Sequence, residues 1–240
     1  MSKLAEDTYD LLSDIGLIDE KFNVYSGAQA AGCDEIDKIQ ISLDAAMLLE
    51  GCAYQYSFTG DDDWKERIDG LLSRTLDVFF PDGVAVEAAC EKSKTCNTDM
   101  EFYKGFLHRS LAKTMQLAPQ TADTILPVLK SSAKAAVARC TGGDNGRMCG
   151  FSWVADEFDE SSAGAQSSVL AALYSAMTTT TANSSSTGDG QTSGGNGTTD
   201  SNGTGSNTTD DSTADSMGAR SGIHLGVALA SLLFATIIDI

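Results

Sequence analysis

Apolar residues recur at a spacing of about 3.6 through the first 177 residues of the chain, which is the period of an amphipathic α-helix. A glycine or a proline interrupts this pattern at Gly16, Gly60, Pro81 and Pro119, where helices are expected to stop. The pattern therefore predicts six helices, one ending at Gly16 and the others over residues 37–58, 61–79, 98–117, 121–139 and 163–177.

The connections between these helices alternate between short and long, which predicts an all-α fold of helical hairpins packed side by side. The loop after the first helix holds Phe22, Val24 and Tyr25, and we interpret it as a short hairpin. A helix at an open edge of such an array leaves apolar surface uncovered. We expect this surface to be covered by residues that precede the chain in a longer protein.

The composition changes after Met177, so residues 1–177 form the globular part. Residues 178–215 are almost wholly Ser, Thr, Gly, Asn and Asp, a composition that predicts a disordered, glycosylated stalk. N-glycosylation sequons lie in this stalk at Asn183, Asn196, Asn202 and Asn207.

Residues 216–240 end in an apolar run over 225–238, shorter than the roughly 20 residues of a bilayer span. Small residues, a polar spacer and this short run together indicate a GPI-attachment signal, with Ser212 as the first choice of attachment residue and Ser216 as the second. A tail-anchored helix is the alternative. GPI attachment requires secretion, yet the first residues contain no apolar signal segment, so we expect the true start to lie upstream.

The chain is strongly acidic, with 34 Asp and Glu against 16 Lys and Arg. Such a surface repels phosphate backbones, which argues against a nucleic-acid partner and leaves neutral carbohydrate open. No glycine-rich phosphate loop and no C-x-x-C motif is present, so we expect neither a cofactor nor a metal.

The six cysteines include two close pairs, Cys90 with Cys96 and Cys140 with Cys149. Each pair flanks a short polar loop, and in an oxidising compartment we expect both to be disulfides rather than metal ligands. The pairing of Cys33 and Cys52 stays open.

Several strings, in this order and spacing, resemble the C-terminal half of glycoside hydrolase family 76 and its fungal GPI-anchored cell-wall branch. They are GLID and NVYSGA at 16–28, WKERIDGLL at 64–72, FFPDGV at 79–84, CNTD at 96–99, QLAPQTADTILPVLKSSAKAA at 116–136 and CTGGDNGRMCG at 140–150. The resemblance implies part of an (α/α) toroid that binds α-1,6-linked mannose at one rim. It also implies retaining hydrolysis or transfer by two carboxylates.

In the family these carboxylates are adjacent aspartates in the N-terminal half, so no catalytic residue is assigned in this chain. The run Asp61 to Asp63 instead precedes the third helix, where we expect it to cap the helix N-terminus. His108, the only histidine of the globular part, is expected to be exposed.

The resemblance implies substrate-lining roles for Asp99, Lys104, Arg109 and Gln40. As an alternative, Asp99 is an N-cap, and Lys104 and Arg109 lie on a solvated helix face. The chain departs from the family at Met100 and Ser110, and it has Ile-Ser-Leu-Asp at 41–44 where the family has Trp-Thr-Tyr-Asn.

The implied function is a mannan endo-1,6-α-mannosidase or transglycosidase of the fungal cell wall, acting on α-1,6-mannan or on the glycan of a GPI-linked mannoprotein. The implied location is the cell surface, with a GPI lipid in the membrane. A non-catalytic cell-wall mannoprotein is the alternative.

Overall fold

The computed structural model describes residues 2–30, 32 and 35–178. The helices are α1 (Ser2–Asp14), α2 (Ser42–Thr59), α3 (Asp62–Phe79), α4 (Tyr103–Leu117), α5 (Ala122–Ala138) and α6 (Ala163–Ala176). Strand β1 (Gly27–Ala28) pairs antiparallel with β2 (Ile36–Asp37), with Gly27 opposite Asp37. The predicted all-α architecture is confirmed for this part of the chain, since all the predicted helices form.

The loop after α1 forms the expected hairpin, because Ile18 and Val24 make an antiparallel bridge. The predicted start of the second helix near residue 37 is wrong. Asp37 belongs to strand β2, where it pairs with Gly27 of β1, and α2 begins only at Ser42. Its end is as predicted: Gly60 has a φ of 69° and donates its backbone N–H to the Tyr56 carbonyl at 2.8 Å.

The acidic run before α3 caps that helix, as expected from the sequence. The Asp61 carboxylate accepts the Asp63 backbone N–H at 3.0 Å, and Asp62 and Asp63 occupy the first turn. The predicted apolar stripe is mostly buried, with Leu76 partly exposed; its buried members are Trp64, Ile68, Leu71, Leu72 and Phe79.

The fourth helix begins differently from its prediction, because a 3₁₀ turn over Met100–Phe102 precedes α4. The side chain of Asn97 accepts the Met100 N–H at 3.0 Å, whereas Asp99 makes no capping hydrogen bond. The N-cap role considered for Asp99 is therefore wrong.

Helices α2, α4 and α6 lie side by side and run in the same direction. The Ser110 hydroxyl of α4 donates to Glu50 of α2 at 2.6 Å, so the middles of these two helices meet. Between α4 and α6 a Cβ on Gly105 would lie 2.9 Å from the Ser168 Cα, so the two backbones approach closely there. The start of α6 also meets the turn that leads into α4, since Gly164 packs on Glu101. The starts of α2 and α4 are also close, because Ser42 donates to Glu87, whose own N–H shares an oxygen of Glu91 with Lys104. The three N-termini therefore lie at one end of the domain.

Helices α3 and α5 form a second layer that covers these three helices. α3 packs on α2, and α5 packs on α4 and α6. The fully buried side chains between the layers are large and apolar, and they include Leu49, Ile68, Leu107, Leu111, Met115, Ile125 and Leu129. This core fixes the relative heights of the helices and hence of their first turns.

Arg67 fastens α1 to α3. Its guanidinium lies 4.2 Å from the Tyr9 ring centroid and 4.4 Å from that of Trp64, and it pairs with Asp10 at 3.1 Å. Tyr9 and Trp64 also meet edge to face at 5.9 Å.

Large apolar side chains are exposed on the two outermost parallel helices. On α6, Leu170 and Tyr174 are 69% and 74% exposed, Met177 directly after it is 80% exposed, and on α2 Phe58 is 74% exposed. The expected uncovered apolar surface is present, and its partner stays a prediction.

Both expected disulfides form, with Cα atoms 4.8 Å apart in Cys90–Cys96 and 3.7 Å apart in Cys140–Cys149. Cys52 is a buried free thiol, and Cys33 lies outside the described residues. The region outside the described residues also includes the predicted stalk with its four sequons, the candidate attachment residues Ser212 and Ser216, and the apolar run over 225–238. Within the described part of the chain, no helix has both the length and the apolar character needed to cross a bilayer.

Candidate functional site

The N-terminal ends of α2, α4 and α6 form one rim of the domain, which we call the helical rim. Each helix presents the positive end of its dipole there. The candidate residue Gln40, half-buried, lies just before α2, and Asp99, exposed, lies just before α4. The structure therefore brings these two sequence-predicted residues to the same end of the fold.

Tyr103 begins α4 at this rim and is half-buried. The pKa of its hydroxyl is raised, first by partial burial and then by the negative charges of Asp99, Asp44 and Glu87. Asp44 is half-buried in the first turn of α2, and burial raises the pKa of its carboxyl to about 6.

Arg109 is not at the rim. It is exposed and lies six residues further along α4 than Tyr103, which is roughly 9 Å down the helix axis. Its placement agrees with the solvated-face alternative and separates it from the other candidate residues.

Lys104 lies beneath the rim and is fully buried, so the solvated-face alternative is wrong for this residue. Its ammonium donates to Glu91 Oε2 at 3.0 Å and to the Phe151 carbonyl. It also lies 4.1 Å from the centroid of the Phe151 ring and 4.6 Å from that of Trp153. Burial lowers the pKa of Lys104, and the carboxylate of Glu91 opposes that shift. With no exposed surface, Lys104 does not contact a ligand at the rim directly.

Glu87 is the second buried charge beneath the rim, and the sequence analysis did not single it out. Its carboxylate accepts the backbone N–H of Ser42 at 3.1 Å and also the Ser42 hydroxyl. Its own N–H donates to Glu91 Oε2 at 2.8 Å. Burial raises the pKa of Glu87 to about 7, against the hydrogen bonds from Ser42 and the charge of Lys104. The sequence signal that could have identified Glu87 is its spacing of four residues from Glu91, with Cys90 between the two acids.

The prediction that His108 is exposed is wrong, because its side chain is fully buried. Its Nδ1 lies 2.6 Å from the Lys104 carbonyl, and its Nε2 lies 3.0 Å from the Ser132 hydroxyl on α5. Burial lowers the pKa of His108 to about 4. The i, i+4 spacing from Lys104 to His108, continued by Leu111 and Met115, was the sequence signal for this buried face.

The adjacent acids at 61–63 are remote from the helical rim. They start α3, which follows directly after the end of α2, so they lie at the opposite end of the domain. The accessible carboxylates of the rim include those of Asp44 and Asp99, which belong to different segments. The rim offers hydrogen-bonding groups to a polar ligand, and none of its described residues form a pair of adjacent aspartates.

Comparison with known proteins matches this fold to one family. The model described as Glycosyl hydrolase family 76 matches residues 2–188. The chain is 37% identical over 158 residues to mannan endo-1,6-alpha-mannosidase DCW1 of Candida glabrata, covering 65% of this chain and 35% of that protein. It is 34% identical over 160 residues to mannan endo-1,6-alpha-mannosidase DFG5 of Candida albicans, covering 65% and 36%.

A solved structure agrees with these relatives. Dfg5 from Chaetomium thermophilum, crystallised in complex with glucosamine, superposes with a TM-score of 0.71 and 42% sequence identity. The match covers 73% of this chain and 45% of that chain. The chain spans about a third of the length of the curated relatives that it matches.

Proposed function

The chain belongs to glycosyl hydrolase family 76, and from this membership we propose that it is part of a fungal cell-wall enzyme that hydrolyses or transfers α-1,6-linked mannose. Its proposed substrates are α-1,6-mannan and the glycan of a GPI-linked mannoprotein. The observation that carries the proposal is the helical rim, where Gln40, Asp44, Asp99 and Tyr103 stand at the starts of parallel helices in a family 76 fold.

The rim residues suit a sugar ligand because they provide donors and acceptors for hydroxyl groups. Gln40 supplies an amide, Tyr103 a phenol, and Asp44 and Asp99 supply carboxylates. Lys104 is proposed to act indirectly, by fixing the segment around Phe151, and Arg109 is proposed to contact only the more distant part of a long glycan. No metal or cofactor is part of this proposal.

Retaining glycoside chemistry needs two carboxylates about 5 Å apart, one as nucleophile and one as acid and base. Asp44 and Asp99 are proposed as binding residues rather than as this pair. The relatives are about three times as long as the matched segment, and we expect their catalytic carboxylates in the part that this chain does not match.

The proposed location is the outer cell surface. The supporting features are the two disulfides and, in the sequence, the proposed stalk with Asn183, Asn196, Asn202 and Asn207 and the GPI signal at Ser212 or Ser216. Mass spectrometry of the protein released from a fungal membrane by phosphatidylinositol-specific phospholipase tests this location. A protein that stays in the membrane after this treatment contradicts the GPI proposal.

The enzymatic proposal is tested by measuring reducing ends released from α-1,6-mannan. The chain alone is compared with a chimera in which the unmatched N-terminal part of the Candida glabrata protein precedes residue 1. We expect turnover by the chimera and none by the chain alone. Turnover by the chain alone that disappears on Asp99→Asn would place the acid and base role in this segment.

A non-catalytic cell-wall mannoprotein is the second candidate. The observation that favours it is the replacement of the family's Trp-Thr-Tyr-Asn by Ile-Ser-Leu-Asp at 41–44, which removes aromatic surface for stacking on sugars at the rim. The matched test restores that string in the chimera. If the original chimera is inactive and the restored one turns over mannan, this second function is favoured.

A further inference from the structure

Helix α2 begins without a capping side chain from its own segment. Ile41 occupies its N-cap position and makes no side-chain hydrogen bond. The backbone N–H of Ser42 is satisfied instead by Glu87, a residue 45 positions later in the chain. Ser42 and Glu87 are both fully buried, so water does not replace this contact.

We propose that Glu87 is a positioning residue for the helical rim, which fixes the first turn of α2 and thereby the side chains of Gln40 and Asp44. Both oxygens of its carboxylate are used on Ser42, one by the backbone N–H and one by the hydroxyl. Two hydrogen bonds from one residue to one carboxylate set the rotation of the helix start as well as its height. This inference rests on the proposed function only for the identity of the ligand that the helical rim binds.

The backbone of Glu87 extends this control to the neighbouring helices. Its N–H donates to Glu91 Oε2, and the same oxygen accepts the ammonium of Lys104 from α4. Lys104 in turn donates to the Phe151 carbonyl, in the segment that leads into α6. A continuous buried path therefore connects the beginnings of α2 and α4 with the segment around Phe151 that precedes α6.

The groups around Glu87 favour a carboxyl group over an amide there. The groups that face it are Ser42 of α2, Tyr103 and Lys104 of α4, and Glu91 of its own segment. Ser42 presents a backbone N–H and a hydroxyl, and a hydroxyl can donate or accept. An amide at position 87 would still accept from the N–H, but the hydroxyl would have to turn and accept from the amide. Replacing Glu87 by Gln therefore keeps the shape and weakens the contact with Ser42, because one of the two acceptor oxygens is lost.

The test is hydrogen exchange of the peptide over residues 42–49, measured by mass spectrometry on the full chain and compared with a peptide of α5. In Glu87→Gln we expect exchange over 42–49 to rise about tenfold relative to α5, because the hydrogen bonds that hold the first turn are weakened. Ser42→Thr keeps both donors and is expected to exchange as the wild type does. Ile68→Val, a conservative change in the core of α3, lies in neither peptide. It is the control for general loss of stability and should leave the ratio unchanged.

The milder variant Ser42→Ala removes only the hydroxyl donor, and it keeps the test decisive if Glu87→Gln does not fold. We expect it to raise exchange over 42–49 by roughly threefold relative to α5. Unchanged ratios in both Glu87→Gln and Ser42→Ala would overturn the inference.

A second measurement separates this inference from the proposed function. Titration with α-1,6-mannobiose, followed by NMR, should show affinity reduced about fivefold by Glu87→Gln and retained by Ser42→Thr. If the wild-type chain does not bind mannobiose while the exchange ratios change as expected, the proposed ligand is contradicted and the positioning role stands. Loosening over 42–49 with undiminished affinity would contradict the link between Glu87 and the ligand.

Discussion

The Nε2 atom of His108 lies 3.0 Å from the hydroxyl oxygen of Ser132, and neither side chain reaches the surface. Ser132 also accepts the backbone N–H of Ala85 at 3.0 Å, so it joins α4 and α5 to the segment after α3. Its contacts resemble those of a nucleophile and its base, but no substrate has access to them.

Ser132→Ala tests this structural role. We expect it to lower the free energy of unfolding by about 1 to 3 kcal/mol, because it leaves the Ala85 N–H and the Nε2 atom of His108 without a partner. Urea denaturation measures the loss, with Ser131→Ala as the neighbouring control. Labelling of Ser132 in the native protein by a fluorophosphonate would contradict its burial.

Stability should fall with rising pH because of Glu87. The pKa of its carboxyl is raised from 4.5 to about 7, so the folded state retains a proton that the unfolded state has already released. The stabilising contribution is fully present below pH 4.5 and is lost as pH rises through about 7. Over this interval the loss is on the order of 2 to 3 kcal/mol.

Urea denaturation of the wild type and of Glu87→Gln at several pH values checks this expectation. The pH dependence should be smaller in the variant, because an amide does not titrate. The lowered pKa of His108 acts in the opposite direction between about pH 4 and 6.5. It does so in both proteins, so the difference between their slopes reports Glu87. Equal slopes in the two proteins would contradict the raised pKa.

Lys104→Met should destabilise the fold strongly, by about 3 to 5 kcal/mol, because it leaves the buried carboxylate of Glu91 unpaired. Lys130→Met, at an exposed position of α5, is the matched control and should change stability by less than about 0.5 kcal/mol. Thermal denaturation measures both. Adding Glu91→Leu to Lys104→Met should recover part of the loss, and a purely additive double variant would show that the two side chains are not coupled.

Asp44→Asn probes the ligand preference of the rim. The pKa of Asp44 is raised to about 6 by burial, so its carboxylate is ionised at pH 7.5 and protonated at pH 4.5. We expect the variant to bind a sugar that carries an ammonium group about fivefold more weakly at pH 7.5, since a carboxylate attracts the ammonium and an amide does not. Binding of α-1,6-mannobiose, which is uncharged, should change by less than about twofold. Calorimetric titration of both sugars decides it, and an equal loss for both would contradict the charge argument.

The helices that could be predicted best are those specified by their own residues. α3 has its cap, its apolar stripe and its stop within one segment, so Asp61 and Pro81 were sufficient to delimit it. The start of α2 was misplaced because Asp37 pairs with Gly27 in a sheet that apolar spacing does not reveal. Strand pairs of this length carry almost no periodic signal.

The candidate site was less predictable, because its buried part is assembled from distant segments. Gln40 and Asp99 were found through the family strings. Lys104 and His108 have polar side chains on a helix that is covered by α2, α5 and α6, and a local pattern does not show how many neighbours a helix has. Glu87 depends on a hydrogen bond to a residue 45 positions away, which no window of sequence contains.

The chain contains two tryptophans. Each indole lies against a different cationic side chain, so the fluorescence of each reports on a different contact in the fold. Trp64 lies 4.4 Å from the guanidinium of Arg67 at the contact between α1 and α3, whereas Trp153 lies 4.6 Å from the ammonium of Lys104 beneath the rim. Both indoles are buried, so their fluorescence emission is shifted to short wavelength as long as each contact is intact. After Trp64→Phe, the emission of Trp153 alone would report whether the helix beginnings stay connected as pH, ligand or sequence is changed.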